Sequence, residues 1–485
     1  MPGVYYTTTE FLDDAKSAAK DRGMPGIRTL ALPADKYYVA RGSKEVLQPI
    51  ADQFFGKMVS DLTQPLTAEE AKPSQVQKLL ENANIKVSGK DFIDASQKVN
   101  EMFLENHWAD GLPIVPPTPE LVKAMEAGTT RSPKDVLGQV APKNGTATVE
   151  KIAINSVMAG AKQEYFPVIL AAMEGFLDKH YDLTHVVAST GSFTPVVVVD
   201  GPIAKELNFN SGIGMLGIGW QANSTVGRAL ELSLLNLGQT WPQVNFMGLT
   251  GRLEGYTFYT FAEDTAKSPW EPYNVSQGFQ AGDSTVTVSS AGNPSVFGGG
   301  AVAPWTAQGV IDQMVASIRN RGVAWPHAQK HIVVLHPDCA VELANKGYTR
   351  KSLQEYFYEQ TRVPYEKLVG GTAAFGEGSE EALIRASVAD GRIRPDRAQI
   401  FLDNLKPGGR VPVVQSPDDF HIVVAGGSPG YDLLFTYPGT NWAHQTVKIT
   451  GATLTKTGRE QMSSVHGVNG DILGPGIPLA RPPDR

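Results

Sequence analysis

Gly212, Gly214, Gly217 and Gly219 crowd one short stretch, and Asn223, Ser224 and Arg228 follow at the start of an expected helix. Glycines let backbone amides converge, and Asn223 or Ser224 can cap the helix. Its free amides and positive dipole end favour an anion. Arg228, about a turn in, would add a bidentate clamp on a carboxylate, phosphate or sulfate. The glycine spacing formally matches a dinucleotide fingerprint, but the preceding strand ends too early and no acidic residue stands suitably downstream. A tight loop ahead of a core helix is the structural alternative.

Glu263 and Asp264 lead into Ser268-Pro269-Trp270-Glu271-Pro272. These carboxylates lie beside a proline-fixed aromatic, and one of them in a partly apolar wall would have a raised pKa and serve as general acid or base. Ordinary solvated acids on a surface turn are the alternative. Glu150, Lys151 and Asn155 place polar groups on an otherwise apolar helix, suited to a buried network or a substrate contact. The expected site therefore has Glu263, Asp264 or Glu271 handling a proton and Arg228 receiving an anion. Gly214, Gly217, Asn223 and Ser224 would bind that anion, Trp270 would wall the pocket, and Asp110 and Asn155 would orient the substrate.

His327, His331 and His336 cluster with Asp338. Pro326 and a strand starting near Ile332 argue against one helix presenting His327 and His331 together, so no metal is expected. Cys339 stands at an apparent helix start, where the dipole can lower its pKa; a buried structural cysteine is the other reading.

The elements that must position these residues form an α/β pattern, α+β in the central part. Residues 1–71 predict strand, helix, strand, helix, half of a doubly wound unit without a phosphate loop. Thr7 and Glu10 fit a capping box, and Gly23 a left-handed helix end. A sheet that starts midway has an exposed edge, to be covered by a partner strand or by the larger domain. A helical and proline-rich connector occupies 72–135, and a central domain with the glycine loop 136–310. A C-terminal α/β unit takes 311–465 and a tail 466–485. Helices are expected over 149–160, 165–177, 224–237, 339–346 and 350–360, with strands over 196–199, 332–335 and 422–425.

Such a length calls for two or three packed units. With 41% hydrophobic and 19% charged residues the chain has the balance of a globular protein. The net charge of −7 comes without basic runs, which leaves nucleic acid without an electrostatic footprint. No signal-peptide layout and no spanning apolar stretch are present, so a cytoplasmic, non-membrane protein is expected. The single cysteine excludes an internal disulfide and a multi-cysteine metal site within the chain.

Several blocks resemble a bacterial family, the large companions of UGSC/CGSC-motif (seleno)proteins. They are Trp108-Ala109-Asp110-Gly111-Leu112-Pro113, Val149-Glu150-Lys151-Ile152-Ala153-Ile154-Asn155 through Gly160, Gly201-Pro202-Ile203, Asn223 to Arg228, and Ser268 to Pro272. Residues 1 to about 65 resemble the C-terminal part of the UGSC domain without its redox motif. The resemblance implies a separate small subunit bringing the missing half. Cysteines common in that family are replaced here by Ala161 and Thr260, which weakens a thiol-dependent role. More loosely, the plan is similar to that of the enzyme pair forming the azabicycle of azinomycin-type antibiotics by intramolecular amine attack with loss of sulfate.

The expectation is the large subunit of a two-component enzyme, without cofactor. It would act on a small anionic, amino-acid-like metabolite by elimination or cyclisation with loss of an anionic leaving group. Two alternatives stand beside it: a non-catalytic subunit presenting substrate to a redox-active partner, and a thiol-dependent oxidoreductase using Cys339.

Overall fold

Apolar runs such as 196–199 and 332–335 belong to strands buried on both faces, since a strand with one wet face would alternate. In the computed structural model these runs lie inside two four-stranded sheets. The structure describes residues 4–21, 24, 26–33, 44–68, 70–71, 84–242, 248, 250–292, 294–298, 306–320, 329–367, 379–428, 430–436 and 444–453. Gly23, His327 and the 466–485 tail, all singled out in the sequence, lie outside the described residues.

In chain order, β1 (Val4–Thr8) and β2 (Arg28–Leu32) form a parallel pair, and β3 (Val136–Val140) and β4 (Gly145–Thr148) an antiparallel one. The first large sheet has the order β14-β7-β5-β6, from β5 (Thr194–Asp200), β6 (Tyr259–Ala262), β7 (Thr285–Ala291) and β14 (His444–Lys448). The second has the order β12-β9-β13-β8, from β8 (Pro294–Phe297), β9 (His331–Leu335), β12 (Phe420–Val424) and β13 (Asp432–Thr436). Between β9 and β12 in the chain, β10 (Val363–Pro364) pairs with β11 (Arg410–Val411). In each large sheet the pair at one edge is parallel, β5 with β6 and β9 with β12, and the remaining pairs are antiparallel.

Strand periodicity then sets four layers. Val197 and Val199 face the helices Val149–Met158, Phe166–Leu177 and Gln221–Gly238. Val196 and Val198 turn the other way, onto Ile332, Val334, Val423 and Phe435 of the second sheet. Val333, Leu335, Ile422 and Val424 face the outer helices Ala307–Asn320, Pro337–Asn345 and Arg350–Gln360. The order is thus helix, sheet, sheet, helix, with side chains alternating between two cores at each step along a strand. Full burial of each Val, Leu or Phe is worth about 1.5–3 kcal/mol, so these interfaces hold the layers together. The sheets also exchange strands across the expected 310/311 boundary: β8 joins the second sheet and β14 returns to the first.

At the N-terminus the strand–helix–strand–helix order appears as expected, with helices Leu12–Asp21 and Lys44–Thr63. The Thr7/Glu10 capping box does not form, because β1 continues to Thr8 and a 3-10 turn, Thr9–Phe11, intervenes without a side-chain cap. Arg28 ties β2 to the end of the second helix through Asp61 O (2.5 Å), Gln64 O (2.8 Å) and Pro65 O (2.7 Å), with a fork onto Glu70. That fork holds the Glu70 carboxyl down to about 2. Among the described residues no strand of the larger sheets pairs with β1 or β2, and Tyr5, Tyr6 and Phe55 are exposed. No helix among the described residues is long and apolar enough to cross a membrane.

Candidate active site

The helix Gln221–Gly238 carries several of the residues singled out in the sequence, and its contacts separate framework from site. Gly227 lets it lie against the chain at Thr257; a β-carbon there would sit 1.6 Å from Thr257 O. Asn223 does not cap the helix, whose N-cap is Trp220. Its buried amide instead accepts from Asn210 N (2.8 Å) and donates towards Asn210 O (3.0 Å), Met215 O (3.1 Å) and Thr260 O (3.1 Å). Asn223 thus fastens the glycine loop to β6. Within that loop, Gly212 N donates to Asn210 Oδ1, and Met215 N and Gly217 N donate to loop carbonyls. Those amides are spent on the turn itself, and Gly214, at φ +71°, supplies its left-handed corner. Ser224 makes the ordinary helical bond from its amide to Trp220 O.

Arg228 is engaged as well. Nε and Nη2 grip Asp110 at 2.7 and 2.9 Å, and Nη2 reaches Pro113 O at 2.9 Å. The clamp foreseen for a substrate anion therefore closes on the protein's own carboxylate, holding the Trp108–Pro113 passage against the helix. Asn155 is likewise framework: it accepts from Asn236 Nδ2 (2.7 Å), which also donates to Trp108 O (3.0 Å).

One turn beyond Arg228 stands Glu231, which the sequence reading did not select. It faces a cavity of about 360 Å³ walled by Val186, Leu234, Leu235, Trp241, Tyr256 and Phe258, with Asp110 and Arg252 at its polar end. Volume and lining suit a small molecule. Glu231 Oε2 has no hydrogen-bond partner among the described residues. Burial, and next the Asp110 charge, push its carboxyl up to about 8, against the pull of Arg228 and Arg252. Arg252 is fixed by Phe193 O (2.5 Å), Val187 O (2.9 Å) and Val186 O. Trp241 is held by stacking on His107, with centroids 4.0 Å apart. A signal for Glu231 existed: it is the acid set among Leu230, Leu232, Leu234 and Leu235, three residues from Arg228. Its lack of a partner was invisible without the fold.

Glu263, Asp264, Trp270 and Glu271 gather elsewhere: Glu263 and Asp264 follow β6 beside the carboxyl ends of β5 and β12 and line a cavity of about 200 Å³, while Trp270 packs on the outer core of the second sheet. Glu263 accepts from Tyr273 N (2.6 Å) and from Arg350 Nη2 (3.2 Å), and Arg350, fully buried, also donates to Glu271 O (2.5 Å) and Ile422 O. Asp200, also buried, ends β5 beside Glu263. Burial, with the Glu263 charge, drives the Asp200 carboxyl well upward, so the pair retains a proton. Asp264 bonds through its amide to Val424 O (2.8 Å) and pairs with Lys267 (3.1 Å). Glu271 is half-exposed, and Trp270 donates its indole N–H to Tyr348 O (2.9 Å). Tyr273 continues the polar seam: its hydroxyl meets His421 Nδ1 (2.9 Å) and His444 Nε2 (3.2 Å), two rings stacked 3.6 Å apart. Burial depresses both imidazoles, which stay neutral.

Of the histidines close in sequence, the two described, His331 and His336, lie at opposite ends of β9. His331 stacks on Phe420 at the start of β9, while His336 follows its far end and caps the helix Pro337–Asn345. His336 meets Cys339 and Asp432 there, and donor atoms of all three converge within 4.8 Å, fully buried. Burial and the neighbouring Asp432 push the Cys339 thiol up, overriding the helix dipole and leaving no reactive thiolate.

Comparisons with protein-family models, with curated proteins and with solved structures gave no match.

Proposed function

We propose that this chain is an enzyme that carries out general acid chemistry on a small molecule in the cavity beside the helix Gln221–Gly238, an elimination or a cyclisation with departure of an anionic group. The observation that carries the reading is Glu231: a cavity-facing carboxyl whose Oε2 has no hydrogen-bond partner among the described residues, its pKa pushed up to about 8. Below that pH it holds a proton. A leaving group that departs with its bonding electrons takes that proton, and the Glu231 carboxylate left beside Arg252 accepts the proton that the substrate C–H or the attacking amine gives up, which restores the acid. The apolar wall of Leu234, Leu235, Trp241 and Phe258 binds the body of the substrate and keeps the acid desolvated. Arg228 serves by fixing Asp110 at the cavity rim.

The test is incubation of the purified chain with a small-metabolite extract, followed by mass spectrometry, for the parent and for Glu231→Gln. Substrate loss slowed by at least ~100-fold in the variant, with folding unchanged, supports the assignment. Equal turnover removes Glu231 from the chemistry.

A second reading, a subunit that presents substrate to a small UGSC/CGSC-like partner, is favoured by the two-stranded β1–β2 sheet, which no further strand joins among the described residues, and by exposed Tyr5 and Tyr6. Turnover only after the partner is added, insensitive to Glu231→Gln, would select it.

A further inference from the structure

Two segments distant in the chain deliver three metal-type donors to one point, and neither the proposed acid chemistry nor the sheet interface uses them. The end of β9 presents His336, the first turn of the helix Pro337–Asn345 presents Cys339, and the first residue of β13 presents Asp432. An imidazole nitrogen, a thiol sulfur and a carboxylate oxygen lie within 4.8 Å of one another, and none of the three side chains reaches solvent.

The spacing discriminates. His336 Nε2 and Asp432 Oδ2 are 3.6 Å apart, beyond ordinary hydrogen-bond length. Two ligands of one tetrahedral ion with bonds of about 2.0–2.3 Å are separated by about 3.3–3.8 Å along the tetrahedron's edge. The other Asp432 oxygen is fixed by the His336 amide at 2.9 Å, which orients the carboxylate as an outer-shell bond does at metal sites. The surrounding chain is equally constrained: Gly426, at φ +106°, and Gly430 both approach the His336 β-carbon, so the turn after β12 covers the cluster.

We propose that His336, Cys339 and Asp432 bind a zinc-type divalent ion, with a water completing four-coordination. The ion joins the end of β9, the helix start and β13. Sulfur, nitrogen and oxygen together select a borderline ion such as Zn²⁺ over Mg²⁺ or Ca²⁺, which take oxygen sets. On binding, the Cys339 thiol releases its proton to solvent and its sulfur becomes a ligand. With Nε2 on the ion, Nδ1 carries the ring proton, so the long 3.4 Å contact from the Cys339 amide to Nδ1 is given up.

The experiment is a Co²⁺ titration of the chelator-treated full chain, followed by absorption and then by Zn²⁺ competition. Expected are equimolar saturation, a thiolate-to-cobalt charge-transfer band, displacement by Zn²⁺, and a raised Tm with either ion. Cys339→Ser abolishes the band, and Asp432→Asn and His336→Gln each weaken binding by about tenfold or more while the band persists. Circular dichroism checks folding; if Cys339→Ser does not fold, the other two variants carry the decision. No saturable binding, binding without the band, or unchanged affinity in both Asp432→Asn and His336→Gln overturns the proposal. The three groups would then be a hydrogen-bonded cluster only.

Discussion

Glu231 and Glu263 are both deep carboxyls near an arginine, yet their surroundings differ. Glu263 is held by Arg350 and by the Tyr273 amide, inside a seam that ties one sheet to the other. Both glutamates border a cavity, but Glu231 Oε2 has no protein partner among the described residues, whereas both Glu263 oxygens are met by the fold. A buried acid with all its partners in the fold is architecture, because its interactions are used in every state of the protein. One whose partner is missing, at a cavity, keeps its interaction for something that binds.

Variants of the two regions test this contrast. Arg350→Met removes the cation from Glu263 and Asp200, and the loss of a buried partner costs about 3–5 kcal/mol; urea denaturation would measure it. An effect below 1 kcal/mol would mean the seam is not load-sharing between the sheets. Glu231→Gln should cut turnover by about 100-fold or more and, near neutral pH, raise stability by a few kcal/mol, because the unfolded acid gives up its proton above about 4.3 and the amide has none to give. The parent activity should fall as pH rises through about 8, where the acid loses its proton.

The two regions should also answer pH with opposite signs. Glu231 binds its proton more tightly folded than unfolded, so its contribution is complete below the unfolded carboxyl pKa. It is lost as pH climbs from about 4.3 towards 8, on the order of a few kcal/mol in all. His421 and His444 are depressed when folded, so the unfolded chain takes up protons below about 6.5 and acid destabilises the sheet interface. Thermal melts across pH should show the alkaline slope vanish in Glu231→Gln and the acid slope remain. Arg228→Ala, which strands Asp110, should cost about 2–3 kcal/mol in a chemical melt. Turnover lost without that destabilisation would restore a direct role for Arg228. Smallest of all, Lys267→Ala removes the exposed partner of the buried Asp264 carboxylate and should shift stability by about 1 kcal/mol.

Much of the secondary structure was legible because it follows local rules. The 350–360 helix appears as Arg350–Gln360, and the 196–199 run lies within Thr194–Asp200. The site was legible only in pieces. Asp110 and Arg228 were recognised as important and do meet, but with each other; Glu263 and Asp264 are indeed near-buried, but in a different region from Arg228. The Cys339–His336–Asp432 convergence joins residues up to 96 positions apart, a separation at which one sequence carries no signal of contact.

By itself, then, the sequence determined which segments are helix or strand and that several strands would be buried on both faces, because periodicity and capping act over a few residues. Only the tertiary structure decided that the two sheets trade β8 for β14, that Arg228 spends its charge on Asp110, and that Glu231 Oε2 faces a cavity with no hydrogen-bond partner among the described residues. Pairing is a property of space: a charge is structural or chemical according to what the fold brings within a few ångströms of it, and chain spacing does not encode that distance.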